Sequence, residues 1–373
     1  MKILYSCLSK SWGGMEMFTL QAVDQLVKRN ISVELLCFPG SKIHTESLKL
    51  GFKIFTLKAN GYFNPVQTLK LKSILREGSY DLIHTQASKD LWVLVPALKL
   101  ISSEIPLIMT KQVGSFIVKN DRFHKWIYDR VDLVFAISQV IKENLLNTCP
   151  LTENKIKLLH NGIDLNKFNT QSVDTKKVRE EFNINDDDIL IGMIARFSRG
   201  KGHEEFLFAA KELLNQYSNL NFMVVGEPSR GEDRYAEKIK KLAADYGIQN
   251  KIIFTGFRKD TPEILAAMDI FAFPSHSEAF GIALAEAMAM GKSSVCSDSD
   301  GILDIAVDNV TSYLFEKQSG NDLANKLKLL INSKETRKIF GEAARKRAIE
   351  MFDIEFLTDK VISYYEQLLQ NKI

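Results

Sequence analysis

Ser275-His276-Ser277-Glu278-Ala279-Phe280-Gly281-Ile282-Ala283-Leu284-Ala285-Glu286-Ala287-Met288-Ala289-Met290-Gly291 is the stretch on which the reading of this chain turns. A short apolar run, Ile270 to Phe273, precedes it and reads as a buried strand ending at Pro274. Strong helix formers from Ile282 to Met290 predict a helix stopped by Gly291. Glu278 then sits in the loop before that helix, and Glu286 about one turn inside it. Between them the backbone N–H groups of Phe280, Gly281 and Ile282 have no partner within the helix. Such groups, with the positive end of the helix dipole, make an anion site suited to a diphosphate. Gly281 removes the side chain that would hold a phosphate away, and a carboxylate on each side could accept from hydroxyls. The same residues also fit an ordinary strand–loop–helix with one solvated and one capping glutamate.

Working outward, Ile194-Ala195-Arg196-Phe197-Ser198-Arg199-Gly200-Lys201-Gly202 follows another apolar run, Ile189 to Ala195. It reads as a strand–helix loop, where side chains project beside the end of a sheet. Arg196 and Lys201, within reach of the Phe280–Ile282 amides, would neutralise a diphosphate and stabilise it as it departs with extra charge. Taken alone, the basic loop also fits solvated surface.

The chain of 373 residues is longer than one hydrophobic core usually supports, so two domains are expected. Its 45% hydrophobic and 25% charged residues are those of an ordinary globular protein. The net charge of +3 is uneven: residues 1–160 carry 21 Lys/Arg against 13 Asp/Glu, and the remainder 28 against 33. A basic first half points to an acidic partner, such as an anionic lipid surface or a phosphorylated acceptor. Cys7, Cys37, Cys149 and Cys296 form no Cys-x-x-Cys pair. They read as buried thiols in a reducing cytosol. The first eight residues turn polar too soon for a signal peptide. The longest apolar segment, Leu91 to Ile101, is about half of the roughly 20 residues a membrane span needs.

The first half alternates strand and helix: strands at Lys2–Cys7, Ser32–Phe38, Asp81–His84, Pro106–Thr110, Asp132–Ile137 and Ile156–Leu159, with helices at Phe18–Lys28, Pro65–Arg76, Leu91–Leu100 and Ser138–Asn147, the last capped by Ser138. Such repetition implies a parallel sheet covered on both faces. Gly13-Gly14 falls after the first strand, where loops of open α/β sheets hold ligands. Its spacing is not that of a dinucleotide fingerprint. The polar stretch 165–185 reads as the linker. A second alternating run follows: strands at Ile189–Ala195, Asn221–Val225, Lys251–Phe254, Ile270–Phe273 and Ser294–Cys296, and helices at His203–Gln216, Tyr235–Asp245, Pro262–Met268, Ile282–Met290, Asp322–Asn332, Glu335–Glu350 and Glu355–Gln370.

Together these pieces resemble the retaining glycosyltransferases of the GT-B type, glycosyltransferase family 4 in particular, over nearly the whole chain. The resemblance rests on the Gly13-Gly14 loop, Asp81-x-x-His84, His160-Asn161-Gly162-Ile163-Asp164 with Phe168, Arg196 with Lys201, and Glu278-x7-Glu286 around Phe280-Gly281. It implies an α/β fold of two Rossmann-like parallel-sheet domains facing a central cleft. Residues 1–168 would form the acceptor domain, joined by a crossing helix from 353–373, and 169–352 the donor domain. It also implies that Arg196 and Lys201 hold the donor diphosphate and that Glu286 binds the ribose. Glu278 would contact the donor sugar, and the Phe280–Ile282 backbone would complete the site. Gly256, Phe257 and Arg258 would lie near the base, Gly14 would approach the phosphates, and His84 would sit near the reacting sugar. The implied donor is a UDP-, GDP- or ADP-sugar with no further cofactor and no metal. The implied acceptor is a glycan or lipid-linked glycan of cell-envelope polysaccharide or lipopolysaccharide synthesis. The protein would be cytoplasmic, at the inner face of the membrane.

The chain departs from the family pattern in three places. Gln86 stands where Asp-x-x-His-x-His has its second histidine, Thr110-Lys111-Gln112 replaces a later histidine, and Asp300-Gly301-Ile302-Leu303-Asp304 replaces Gly-Gly-x-x-Glu. Gln86 can hydrogen-bond a sugar but cannot titrate. These changes leave open a nucleotide-sugar epimerase, a glycan phosphorylase, or a silent carbohydrate-binding homologue. Phe116 to Arg130 mixes aromatic and basic residues; it fits docking on anionic lipid or a lipid-linked acceptor, and equally a helix packed on the core. Nucleic-acid binding is not indicated, because there is neither a recognised motif nor a dense basic stripe.

Overall fold

The computed structural model describes residues 1–59, 61–228 and 231–370. The chain forms two compact units, Met1–Gly162 with Ile354–Ile373, and Ile163–Asp353. Residues 371–373, the end of the expected crossing helix, lie outside the described residues.

Unit 1 is built on strands β1 (Lys2–Cys7), β2 (Ser32–Cys37), β3 (Lys53–Thr56), β4 (Leu82–Thr85), β5 (Leu107–Lys111), β6 (Leu133–Ala136) and β7 (Ile156–Leu158). Its helices are α1 (Gly14–Lys28), α2 (Lys42–Lys49), α3 (Pro65–Gly78), α4 (Leu91–Leu100), α5 (Arg122–Tyr128), α6 (Gln139–Thr148) and, from the far end of the chain, α14 (Ile354–Gln370). The seven strands run parallel in the order β3-β2-β1-β4-β5-β6-β7. The side chains of the five inner strands are nearly all buried, as a sheet covered by helices on both faces requires, whereas the edge strands β3 and β7 are partly exposed. Ser138 caps α6 by accepting from the Ile141 N–H, as its position in the sequence predicts.

Unit 2 contains α7 (Lys177–Glu181), β8 (Ile189–Ile194), α8 (His203–Leu214), β9 (Leu220–Val225), α9 (Asp233–Asp245), β10 (Ile252–Gly256), α10 (Thr261–Ala267), β11 (Ile270–Phe273), α11 (Ile282–Ala289), β12 (Ser293–Ser297), β13 (Ser312–Phe315), α12 (Gly320–Ile331) and α13 (Lys334–Phe352). The sheet order is β10-β9-β8-β11-β12-β13, again all parallel. Both sheets are Rossmann-like. In each the winding reverses beside the first strand, between β1 and β4 and between β8 and β11. The loops that leave those neighbouring strands at a reversal part to opposite faces and open a crevice at the strand ends.

The chain passes between the units at 162/163 and 353/354, where the sequence places the boundaries at 168/169 and 352/353. Residues 163–168 fold with unit 2 because their groups are satisfied there. The Ile163 N–H donates to the Phe352 carbonyl at 2.6 Å, Phe168 is buried, and Arg345 donates to the Phe168 carbonyl. The stretch 165–185 is therefore not a linker. It carries α7, whose Val178 is fully buried, and Arg179 donates to the carbonyls of Ala267, Asn185 and Asp188. Its few apolar residues are enough because these hydrogen bonds hold the rest.

Four further elements are absent from the sequence reading: α2, β3, α7 and β13. Each is short and lacks a long apolar period, so tertiary pairing rather than local pattern creates it. All four cysteines are buried free thiols; burial pushes those of Cys7, Cys37 and Cys296 up to about 12. Among the described residues no helix is long and apolar enough to cross a membrane.

Candidate functional site

At the β8/β11 reversal three loops of unit 2 are tied together. The His276 N–H donates to the Gly200 carbonyl at 2.8 Å, joining the loop after β11 to the loop after β8. The Gly301 N–H donates to the Glu278 carbonyl at 3.0 Å, joining it to the loop after β12. Gly202, which precedes α8 at φ +78°, is pressed against Pro274: a Cβ there would lie 2.1 Å from the Pro274 carbonyl oxygen. No side chain fits that approach, which is why Gly-Lys-Gly ends the basic loop.

This framework brings Lys201 and Glu278 together. The lysine Nζ lies 2.6 Å from Glu278 Oε1, with both side chains mostly buried. The sequence assigns one residue to phosphate and the other to sugar; folding makes them partners in a charge-assisted hydrogen bond. Lys201 is thus held beside the loop that opens α11, and not on an outer face. Arg196 is exposed at the end of β8, its backbone N packed against the tight turn at Gly226.

Gly281 precedes α11 at φ +111°, in the left-handed region that favours glycine. The N–H groups of Gly281 and Ile282 receive no hydrogen bond acceptor among the described residues of the fold. The Phe280 side chain is buried, edge-on to Phe352 at 5.5 Å, so only its backbone can face a ligand. One turn into the helix, the half-buried Glu286 carboxylate accepts no hydrogen bond from any described residue. Burial pushes it up to about 7, against the opposing pull of Lys167. A desolvated acceptor without a donor is what a pair of ligand hydroxyls would satisfy.

Three further positions bear on the expected base site. Gly256 ends β10 at φ +71° and accepts from the Gly226 N–H. Phe257 beside it is exposed. Arg258, by contrast, is consumed by structure. It forks onto both oxygens of Glu181 and onto Asp260, anchoring α7 to α10. Four of the five guanidinium N–H donors are so engaged, which leaves only one, on Nη1, for a base.

Sequence reasoning missed the support behind this site. His276 Nε2 lies 2.9 Å from Glu205 Oε1, and its Nδ1 lies 3.1 Å from Gln318 Nε2. That fixes the loop between β11 and α11 from both sides. His276 next to the Glu278 motif was the available signal. Asp300 adopts φ +47°, in the left-handed region that aspartate tolerates better than most residues.

In unit 1 the expected contributors sit at the β1/β4 reversal. Gly13 precedes α1 and Gly14 is its first residue. His84 is almost fully buried. Its Nδ1 meets the Tyr365 hydroxyl of α14, and its Nε2 meets Thr110 Oγ1 at 2.8 Å. Burial pushes it down to about 3, so it is neutral. With both nitrogens engaged in the core, His84 locks α14 to the sheet and has none left for a substrate. Gln86 and Gln112, which belong to two of the expected departures from the family pattern, bond each other: Gln112 Nε2 donates to Gln86 Oε1 at 2.9 Å. Gln86 also donates to the Tyr5 hydroxyl, and Asn161 closes the chain by donating to Gln112 Oε1 at 3.0 Å. Both departures thus belong to one buried network that cannot titrate.

Comparison with known proteins agrees with this architecture. Residues 12–167 match the model "Glycosyltransferase Family 4" and residues 174–347 the model "Glycosyl transferases group 1". Among curated relatives, the capsular polysaccharide biosynthesis glycosyltransferase CapM of Staphylococcus aureus is 23% identical over 93% of this chain and 93% of its own. The N,N'-diacetylbacillosaminyl-diphospho-undecaprenol alpha-1,3-N-acetylgalactosaminyltransferase of Campylobacter jejuni is 27% identical over 88% of this chain and 89% of its own. Among solved structures, a glycosyltransferase from Rickettsia africae superposes with a TM-score of 0.90 at 23% identity, covering 99% of both chains. Anabaena Alr3699/HepE, solved in complex with UDP and glucose, superposes with a TM-score of 0.84 at 21% identity over 98% of this chain and 99% of that one. Two Rossmann-like units, one matched by each family model, place this chain among the family 4-like GT-B glycosyltransferases, and it belongs to that family.

Proposed function

We propose that the chain is a retaining, metal-independent glycosyltransferase that moves a sugar from a nucleotide-diphosphate sugar to a glycan or lipid-linked acceptor in cell-envelope polysaccharide synthesis, on the cytoplasmic side of the membrane. The observation that carries this reading is the convergence, in one unit, of the Lys201–Glu278 pair, the open amides of Gly281 and Ile282, and the unpartnered Glu286 carboxylate. A diphosphate fits the amides and the lysine, a ribose fits Glu286, and a sugar fits Glu278. Capsule and diphospho-undecaprenol in the relatives' names support the acceptor class.

In the proposed reaction the anomeric C–O bond to the diphosphate breaks, and a bond from the acceptor oxygen forms on the same face. The acceptor proton passes to the leaving diphosphate oxygen. Arg196, Lys201 and the α11 amides stabilise the charge that develops on that diphosphate. Glu278 orients Lys201 in the free protein and accepts from sugar hydroxyls in the complex. Gly256 and Phe257 border the base. His84 takes no part in proton transfer, because both its nitrogens are occupied. Arg196 and Lys201 are assigned the charge-neutralising task that a metal performs elsewhere.

A thermal-shift screen with UDP, GDP and ADP, then with their sugars, tests the donor assignment. One nucleotide should raise the melting temperature, and Lys201→Met should abolish most of that rise. No rise with any of them would remove the donor site. Transfer that persists with excess chelator is expected; sugar inversion, or epimerisation of the donor without acceptor, would overturn the mechanism.

A further inference from the structure

Unit 1 contains a cavity of about 580 Å3 at the ends of β1, β4 and β5. Four lysines line it, Lys10, Lys89, Lys111 and Lys119, against a single carboxylate, Asp90, among its described residues. Asp90 is turned inward and already accepts from Ser6 Oγ, the Leu8 N–H and Thr85 Oγ1. Lys111 is only 6% exposed, and its Nζ donates to Ser88 Oγ at 3.2 Å. Lys119 faces it, with its Nζ 3.4 Å from the Tyr128 hydroxyl. Neither lysine has a carboxylate within ion-pairing distance among the described residues. Burial and the neighbouring charge of Lys119 push Lys111 down to about 8. Two cations brought together out of water are unfavourable unless an anion joins them.

The wall and rim of the same cavity are apolar. Tyr62 and Ile117 line it and are 60% and 68% exposed, and Phe116 and Val118 beside Ile117 are exposed as well. A dianion at the lysines, with a hydrocarbon chain leaving over this rim, satisfies both halves of the cavity at once.

We propose that Lys111 and Lys119 bind the phosphoryl group of a lipid-linked phosphate or diphosphate acceptor, whose chain lies along Tyr62, Phe116, Ile117 and Val118. This rests on the glycosyltransferase reading above and names the residues that would select its acceptor.

All three tryptophans, Trp12, Trp92 and Trp126, belong to unit 1, and Trp92 lines the cavity. Tryptophan fluorescence of the full chain therefore reports this site. Titration with farnesyl diphosphate should change it saturably, whereas neutral farnesol should not. Lys111→Gln with Lys119→Gln should weaken binding about tenfold or more, and the milder Lys119→Gln alone about fivefold, since each removes a charged hydrogen-bond donor. Phe116→Ser with Ile117→Ser should weaken farnesyl diphosphate but leave inorganic pyrophosphate unchanged. Lysine variants that stay folded and bind as tightly as the parent would overturn the proposal. Pyrophosphate binding as tightly as farnesyl diphosphate would overturn its lipid part. Nucleotide thermal shifts are read in parallel. A parent chain that takes up nucleotide but not farnesyl diphosphate sinks this inference alone. Uptake of farnesyl diphosphate through the lysines without any nucleotide shift supports it while removing the donor reading.

Discussion

Replacing Glu286 with glutamine should stabilise the free protein while weakening its hold on donor. The carboxyl is raised from 4.5 to about 7, mainly by burial. The unfolded chain ionises it near its ordinary value, so between 4.5 and about 7 the native state holds the extra proton. Stability attributable to this group is therefore highest at pH 4.5 and below and falls as pH rises to about 7. At about 1.4 kcal/mol per pH unit across that window the ceiling is roughly 3 kcal/mol, and partial access to water brings it to about 2 kcal/mol. Glutamine keeps the shape and removes the charge. Glu286→Gln should thus match the parent at pH 4.5 and exceed it by about 2 kcal/mol at pH 8. Since the tryptophans all lie in unit 1, the measurement should use hydrogen exchange of β11–α11 peptides at increasing urea. Calorimetric titration at pH 8 should show the opposite sign for nucleotide: loss of a charged acceptor to the ribose costs about 1.5–3 kcal/mol, roughly ten- to a hundredfold. Equal stability of the two proteins at every pH, or unaltered nucleotide affinity, would refute the argument that this carboxylate waits for a donor.

Lys201→Met removes a cation from the departing diphosphate and leaves Glu278 without its partner; kcat should fall about 100-fold or more, with a smaller change in KM, in a steady-state transfer assay. Gly202→Ala must place a Cβ 2.1 Å from the Pro274 carbonyl at φ +78°, and should lower unfolding free energy by about 1–3 kcal/mol together with nucleotide affinity. His84→Gln should retain transfer activity and its pH profile, because the imidazole is neutral and doubly bonded. In the parent, His84 lowered to about 3 means the unfolded state takes up a proton below 6.5 that the folded state refuses. Its contribution is present above 6.5 and lost as pH falls toward 3, and the variant should lack that part of acid sensitivity in denaturant titrations. A shifted alkaline or acid limb in the kcat profile of His84→Gln would falsify the structural role.

Much of the fold is local enough to be read before folding. The apolar runs of β1, β8 and β11, the Ser138 cap and the Gly291 stop each depend on residues a few positions apart, so periodicity and capping chemistry suffice. The same holds for the presentation of Glu278, Gly281 and Glu286 around the start of α11. Elements such as β3 and β13 exist because neighbouring strands supply their hydrogen bonds, and the stretch 163–185 joins unit 2 because Arg179, Arg345 and Phe352 satisfy it. Only the three-dimensional arrangement reveals that Lys201 meets Glu278 across 77 residues. The same is true of His84, neutralised between Thr110 and a helix 281 residues away. It also turns the two departures at Gln86 and Gln112 into one network. Charge, burial and hydrogen-bond partnership depend on what lies within a few ångströms in space, and that neighbourhood comes into being when distant segments close on one another.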